Sequence, residues 1–227
     1  AVDSAKKLTA LDPANSDWQD DFALYSQQLG VLLRQSGHLD AAAIANQDAV
    51  SILTKLSARN PANANFQQDL ALSELEQSRL QLSRGKLDAA TESATDSLTL
   101  LQKLRAKTPG DQGLILLVAE AHGVKGQIAA QRHNSSMAQQ EWMNARDLLA
   151  PLVQAGNDTR SLAAYATAML RLGDIHGARP LITRLSAMGY RTPDFVALVT
   201  ASNMAYPINS AFTERIADIM QRPPVAR

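Results

Sequence analysis

Asp12-Pro13-Ala14-Asn15, Asn60-Pro61-Ala62-Asn63 and Thr108-Pro109-Gly110-Asp111 are one phrase written three times, its proline returning every 48 residues. A fixed period of a few tens of residues is the signature of a stacked array, in which each unit buries its apolar face on its neighbours. Laid over one another at that offset, Trp18, Phe66 and Leu114 share a column, as do Phe22, Leu70 and Val118, then Ala23, Ala71 and Ala119, and further on Leu32, Leu80 and Ile128. Bulky apolar residues at such spacings mark one face of a helix. A second block repeats as well: Ala42, Ala90 and Ala138, then Ala49, Ser97 and Ala145, then Leu56, Leu104 and Leu152. Its first two columns are small, which lets a second helix approach its neighbour closely.

Between the blocks lie Gly37, Gly85 and the His133-Asn134 pair, residues that tolerate the positive φ of a helix C-cap. Each period therefore predicts a helix–turn–helix hairpin. The proline phrase closes one hairpin and opens the next, because proline disfavours helix in the residue before it, and Asn15, Ser16, Asn63 or Asn65 can cap the helix that follows. The predicted helices run over about 16–35 and 39–58, 64–84 and 87–106, and 112–132 and 135–154, each roughly 30 Å long at 1.5 Å per residue.

The resulting organisation is all-α: a solenoid of antiparallel hairpins with a C-terminal helical cap. Residues 12–59, 60–107 and 108–155 form three repeats, and 156–189 form a shortened fourth. Ala178 follows Ala138 by only 40 residues, and Gly156-Asn157-Asp158-Thr159 replaces the proline phrase, so the helix from about 159 to 172 is expected to be short. Thr192-Pro193-Asp194 reads as the start of a helix through about Asn203, and another is expected over about 210–221. Together 190–222 make the cap, and 223–227 a disordered tail. Ala1, Val2, Leu8 and Ala10 fall on Ala49, Val50, Leu56 and Ala58, so 1–11 reads as the second helix of a truncated repeat. This predicts that the chain is the C-terminal part of a longer protein.

Leu29-Gly30, Gly37-His38-Leu39-Asp40-Ala41-Ala42 and Ala49 resemble the tetratricopeptide (TPR) pattern, and Gly85-Lys86-Leu87-Asp88-Ala89-Ala90 and Gly173-Asp174-Ile175-His176-Gly177-Ala178 repeat its turn. The family's unit is about 34 residues, so these hairpins depart from it by carrying longer helices. The resemblance covers most of 16–187. It implies an array whose first helices line an inner groove that recognises an extended peptide or a partner helix. Carried over from the family with Ala42, Ala90, Ala138 and Ala178 as anchors, the groove positions are Gln27, Arg34 and Gln35, then Arg79 and Ser83, then Glu120, Gln127 and Gln131, then Thr167 and Arg171. The family's lysine–asparagine clamp for chaperone C-termini is not reproduced, since Gln27 with Val31 and Leu75 with Arg79 stand in its places.

Composition agrees with a binding module and names no ligand. With 22 basic and 22 acidic side chains the net charge is zero, which argues against general nucleic-acid or anionic-membrane affinity. No window approaches the roughly 18 or more consecutive apolar residues of a membrane span. Zero cysteines exclude disulfides and thiolate metal sites. No phosphate loop, Gly-x-Ser-x-Gly or His-Glu-x-x-His is present. His38, His122, His133 and His176 are scattered, and Asp17, Asp20 and Asp21 suit a first helical turn better than acid/base work. Trp142, in the column of Asn46 and Ala94, suits the core. Asn134-Ser135-Ser136 fits a glycosylation sequon, a pattern common by chance.

The expectation is thus a non-catalytic module that binds a protein or peptide, with no cofactor and no metal; self-association is compatible with it. Gly189-Tyr190-Arg191-Thr192-Pro193-Asp194-Phe195 is similar to the end of tetratricopeptide regions in proteobacterial multidomain regulators, including receptor-type serine/threonine kinases. That resemblance implies the sensory half of a signalling protein, with the periplasm favoured over the cytoplasm. A structural scaffold or self-association module, or a regulatory domain of a soluble enzyme or transcription factor, is the alternative.

Overall fold

A computed structural model describes residues 2–156 and 158–206. Among them are ten helices and no strand: α1 (Val2–Leu11), α2 (Ser16–Gln35), α3 (Leu39–Arg59), α4 (Ala64–Ser83), α5 (Leu87–Lys107), α6 (Gln112–Gln131), α7 (Ser135–Ala155), α8 (Thr159–Arg171), α9 (Ile175–Ala187) and α10 (Pro193–Ala201). The fold is the all-α hairpin array that the 48-residue period predicts. The expected helix over 210–221 and the tail lie outside the described residues.

The repeated phrase works by capping. The side chains of Asn15, Asn63 and Asp111, 48 residues apart, accept from the first free N–H groups of α2, α4 and α6. Gln19 and Gln67 also return at this period, each donating to the carbonyl of the phrase's proline, Pro13 or Pro61. At the hairpin turns Gly37, Gly85 and His133 have φ of 81°, 72° and 58°. The residue after each donates back into the preceding helix, His38 to Leu33, Lys86 to Gln81 and Asn134 to Ala129, the Schellman closure. Asn134 then caps α7 through the Met137 N–H at 3.1 Å.

Two compact units are distinguished, Ala1–Leu148 and Leu149–Arg227, and the boundary falls inside α7, ahead of the Gly156 junction. In the first, α2 pairs with α3 and α4 with α5, α3 packs on α4 and α5 on α6, and α4 touches both α2 and α6. Its core holds Ala71, Leu75, Leu101, Leu104, Val118 and Ile128, with Ala23, Ala49, Leu53, Leu56 and Phe66 in an adjoining cluster. Each fully buried leucine contributes about 1.5–3 kcal/mol. The small columns are buried as expected, from Ala42, Ala90 and Ala138 to Ala49, Ser97 and Ala145. Ser97 Oγ closes on the Ala71 carbonyl at 2.6 Å.

One internal pair of columns trades volume along the array. Gly30 and Gly126 on the first helices face Asn46 and Trp142 on the second, and Ser78 in the same column donates to the Ala90 carbonyl at 2.7 Å. A Cβ on Gly126 would come within 2.3 Å of Trp142 Nε1, whereas one on Gly30 would meet nothing closer than 3.5 Å. Trp142 is buried where the sequence expects a core aromatic, and Gly126 is what makes room for it.

The second unit is built on the shortened hairpin. Its helices α8 and α9 are 13 residues each, against 20 or 21 in the first three hairpins. Asp158 is the N-cap of α8, as Asp111 is of α6, and it accepts from the Ser161 N–H and hydroxyl at 2.8 and 2.7 Å. α10 packs on α8, and its Phe195 and Val199 join Leu162, Ala166, Ile182 and Leu185 in the core. Phe195 meets Tyr190 and Tyr206 edge-on, at 5.5 and 5.8 Å between ring centres, and the Tyr206 hydroxyl donates to the Tyr190 carbonyl.

Candidate functional site

Where α2, α4 and α6 lie side by side, the residues assigned to the groove are joined across helices. Gln27 Nε2 donates to Ser73 Oγ at 3.1 Å. Arg34 Nε donates to Glu76 Oε1 at 2.5 Å, Glu76 Oε2 lies 3.7 Å from Arg79 Nη1, and Arg79 Nη2 donates to Glu120 Oε2 at 3.2 Å. The result is a ladder of alternating charge, Arg34–Glu76–Arg79–Glu120, running through three successive first helices. The Arg34 and Glu76 side chains are almost fully buried, with 9% and 4% exposed, while Arg79 keeps 30%. At the α2 end the ladder is a desolvated structural tie; at Arg79 it opens to solvent.

A second polar group lies between α6 and α7. His122 Nδ1 and Glu141 Oε2 are 2.6 Å apart, and Lys125 Nζ is 3.2 Å from Glu141 Oε1. Burial pushes the Glu141 carboxyl up, but the His122 hydrogen bond and the Lys125 charge outweigh it, and the group is held below the usual glutamate range. His122, one of four histidines scattered in the sequence, is thus the partner of a carboxylate.

At the start of α2 and α4 two carboxyls do the reverse. Burial first, and the charge of Asp20 second, push Asp69 up to about 6. Asp20 is raised by burial and by Asp21 and Asp17, and its Oδ1 accepts no hydrogen bond among the described residues. Asp20 is therefore more than a helix-dipole acid: desolvation sets its titration.

The remaining groove candidates are less constrained. Gln35 and Gln127 are half-buried, and Gln131 is exposed. Ser83 is also exposed, and its hydroxyl donates back to the Arg79 carbonyl at 3.0 Å. Thr167, half-buried, and Arg171, exposed, stand on α8 in the second unit. The structure thus brings Arg34, Arg79 and Glu120 into one network and leaves the glutamines beside it.

Glu76 is the member of the network that the sequence reading missed. Its column holds Gln28 and Val124, so the repeat carries no hint of a buried acid there. The one local signal is Arg79 three residues on, the spacing of a helical ion pair.

Among the described residues no group of three or more His, Cys, Asp or Glu is placed to hold a metal ion. No described helix is long and apolar enough to cross a membrane. No protein-family model matches the chain, and no curated protein matches it closely enough to count as a relative.

Proposed function

We propose that this chain is a non-catalytic protein-interaction module that receives a peptide or protein segment along the side-by-side first helices of its hairpins. The single observation that carries the reading is the cross-helix polar strip, in which Arg79 is fixed by Glu76 and Glu120 and still reaches solvent. A surface whose hydrogen-bonding groups are already held in place binds without first freezing them, which is where preorganised recognition gains affinity. Gln127 and Gln131 stand farther along α6 with donors and acceptors for a backbone.

The hairpin geometry, with its turn glycines and small packing columns, supports a tetratricopeptide-like array. By that resemblance the chain is the partner-binding, sensory part of a larger bacterial signalling protein, with a receptor-type serine/threonine kinase as the leading case and the periplasm as the favoured compartment. The test is selection from a random peptide library displayed on phage, with enriched clones rescreened on Arg79→Ala and Gln127→Ala. The reading expects enriched clones that lose binding to both variants. Clones that bind the variants as well as the parent chain, or no enrichment at all, would remove it.

A further inference from the structure

The register that aligns the hairpins also shows where side-chain volume has been taken out. Ser4 on α1 stands in the column of Ile52, Leu100 and Leu148, and Ala5 in that of Leu53, Leu101 and Leu149. Leu53 and Leu101 are 1% and 0% exposed and belong to the core clusters, with Ile52 and Leu100 packed against those clusters. Ala5 is also buried, yet it offers a methyl group where the later helices carry a leucine side chain. A pocket of about 210 Å³ stands at this place, lined by Ser4, Ala5 and Leu8 of α1 and by Trp18, Asp21 and Tyr25 of α2. It holds far more than one water, whose share of the liquid is about 30 Å³. Thr9 Oγ1, 3.2 Å from the Trp18 carbonyl, holds α1 against α2 beside it.

The α2 wall of the pocket has its own composition. Trp18, Asp21 and Tyr25 follow at spacings of three and four residues, which puts an indole, a carboxylate and a phenol on one helical face. In the same columns α4 carries Phe66, Asp69 and Ser73, and α6 carries Leu114, Leu117 and Ala121, so of these three helices only α2 flanks a carboxylate with two aromatic rings. Asp21 is exposed, and no cation of the chain pairs with it among the described residues. Burial first, and the charges of Asp21 and Asp17 after it, push the neighbouring Asp20 carboxyl up, so this wall keeps a negative potential. Ring faces and a carboxylate attract the same ligand, a cation. A quaternary ammonium suits a largely apolar pocket best, because it has no N–H group to leave unsatisfied.

We propose that the α1–α2 pocket binds a small organic cation with a quaternary ammonium head, seated against the Trp18 and Tyr25 rings with Asp21 as its counter-ion. The site is separate from the polar strip along α2, α4 and α6, and its ligand is a free small molecule.

Choline is the probe, and neohexyl alcohol, its neutral carbon isostere, is the control. Calorimetric titration of the full chain is expected to show saturable choline binding that weakens as salt is raised, with the isostere bound about tenfold more weakly or worse. Asp21→Asn and Tyr25→Leu should each weaken choline binding by roughly tenfold and leave the circular dichroism unchanged. Ala5→Leu, which writes the leucine of the other hairpins back into the pocket, should abolish binding. The proposal is overturned by an absence of saturable choline binding, by equal affinity for the isostere, or by undiminished affinity in Asp21→Asn or in a folded Ala5→Leu chain. Asp21 is exposed, so the Asp21→Asn arm decides the matter even where Ala5→Leu does not fold.

Discussion

The first hairpin and the second are written in the same columns, yet they differ in what those columns do. Leu80 on α4 is core and Leu32 on α2 is surface; Glu76 is a buried ion-pair partner and its counterpart Gln28 is exposed. The residue type at a repeat position therefore does not set its energetic role. Its place in the stack does, because each first helix is finished by the hairpin before it.

The largest way to break this comparison is Glu76→Ala, which removes the buried carboxylate that accepts from Arg34 Nε and is expected to cost about 3–5 kcal/mol. Gln28→Ala should stay within about 0.5 kcal/mol. Replacing the pair together, Arg34→Met with Glu76→Leu, should recover most of the loss, since an apolar pair of similar volume needs no charge compensation. Urea denaturation of the three variants reads all of this.

Leucine truncation comes next. Leu80→Ala removes a fully buried side chain and should cost about 2–5 kcal/mol, against about 0.5 kcal/mol or less for Leu32→Ala. Equal losses at the two sites would mean that α2 is as covered as α4. Smaller again is the glycine column: Gly126→Ala drives a methyl into the Trp142 ring and is expected to cost about 1–3 kcal/mol. Gly30→Ala meets only ordinary contacts, and should stabilise its helix by up to about 1 kcal/mol.

The smallest effect concerns pH. Asp69 titrates near 6 in the folded chain, above its ordinary value of 3.8, so the native state holds this proton more tightly than the unfolded one. Stability from this group is fully present below the ordinary aspartate range and is lost as pH rises through about 6. Asp69→Asn should flatten the urea midpoint between pH 4 and 7 and raise it at pH 7, modestly because the group is partly solvated.

Much of the fold was legible because its punctuation is local. Asn15, Asn63 and Asp111 cap helices through their own side chains, and Gly37, Gly85 and His133 take a positive φ that few residues accept, so both appear as fixed letters at a fixed period. Trp142 was readable as core, but not that Gly126 had been reduced to fit it, since volume exchange shows only when two helices are superposed. Among the site residues, Arg34, Arg79 and Glu120 were found as positions and not as a network. Glu76, the common partner of the two arginines, is 42 residues from Arg34, and no spacing rule joins residues on separate helices. The exposure of Leu32 was equally hidden, because its column promised a core residue.

Native-state hydrogen exchange tests the central claim, that position in the stack decides burial among equivalent columns. The amides of α4 and α6 should exchange only through the global unfolding of the first unit, and those of α2 should exchange faster, through local opening. Protection of α2 equal to that of α4 would contradict the account.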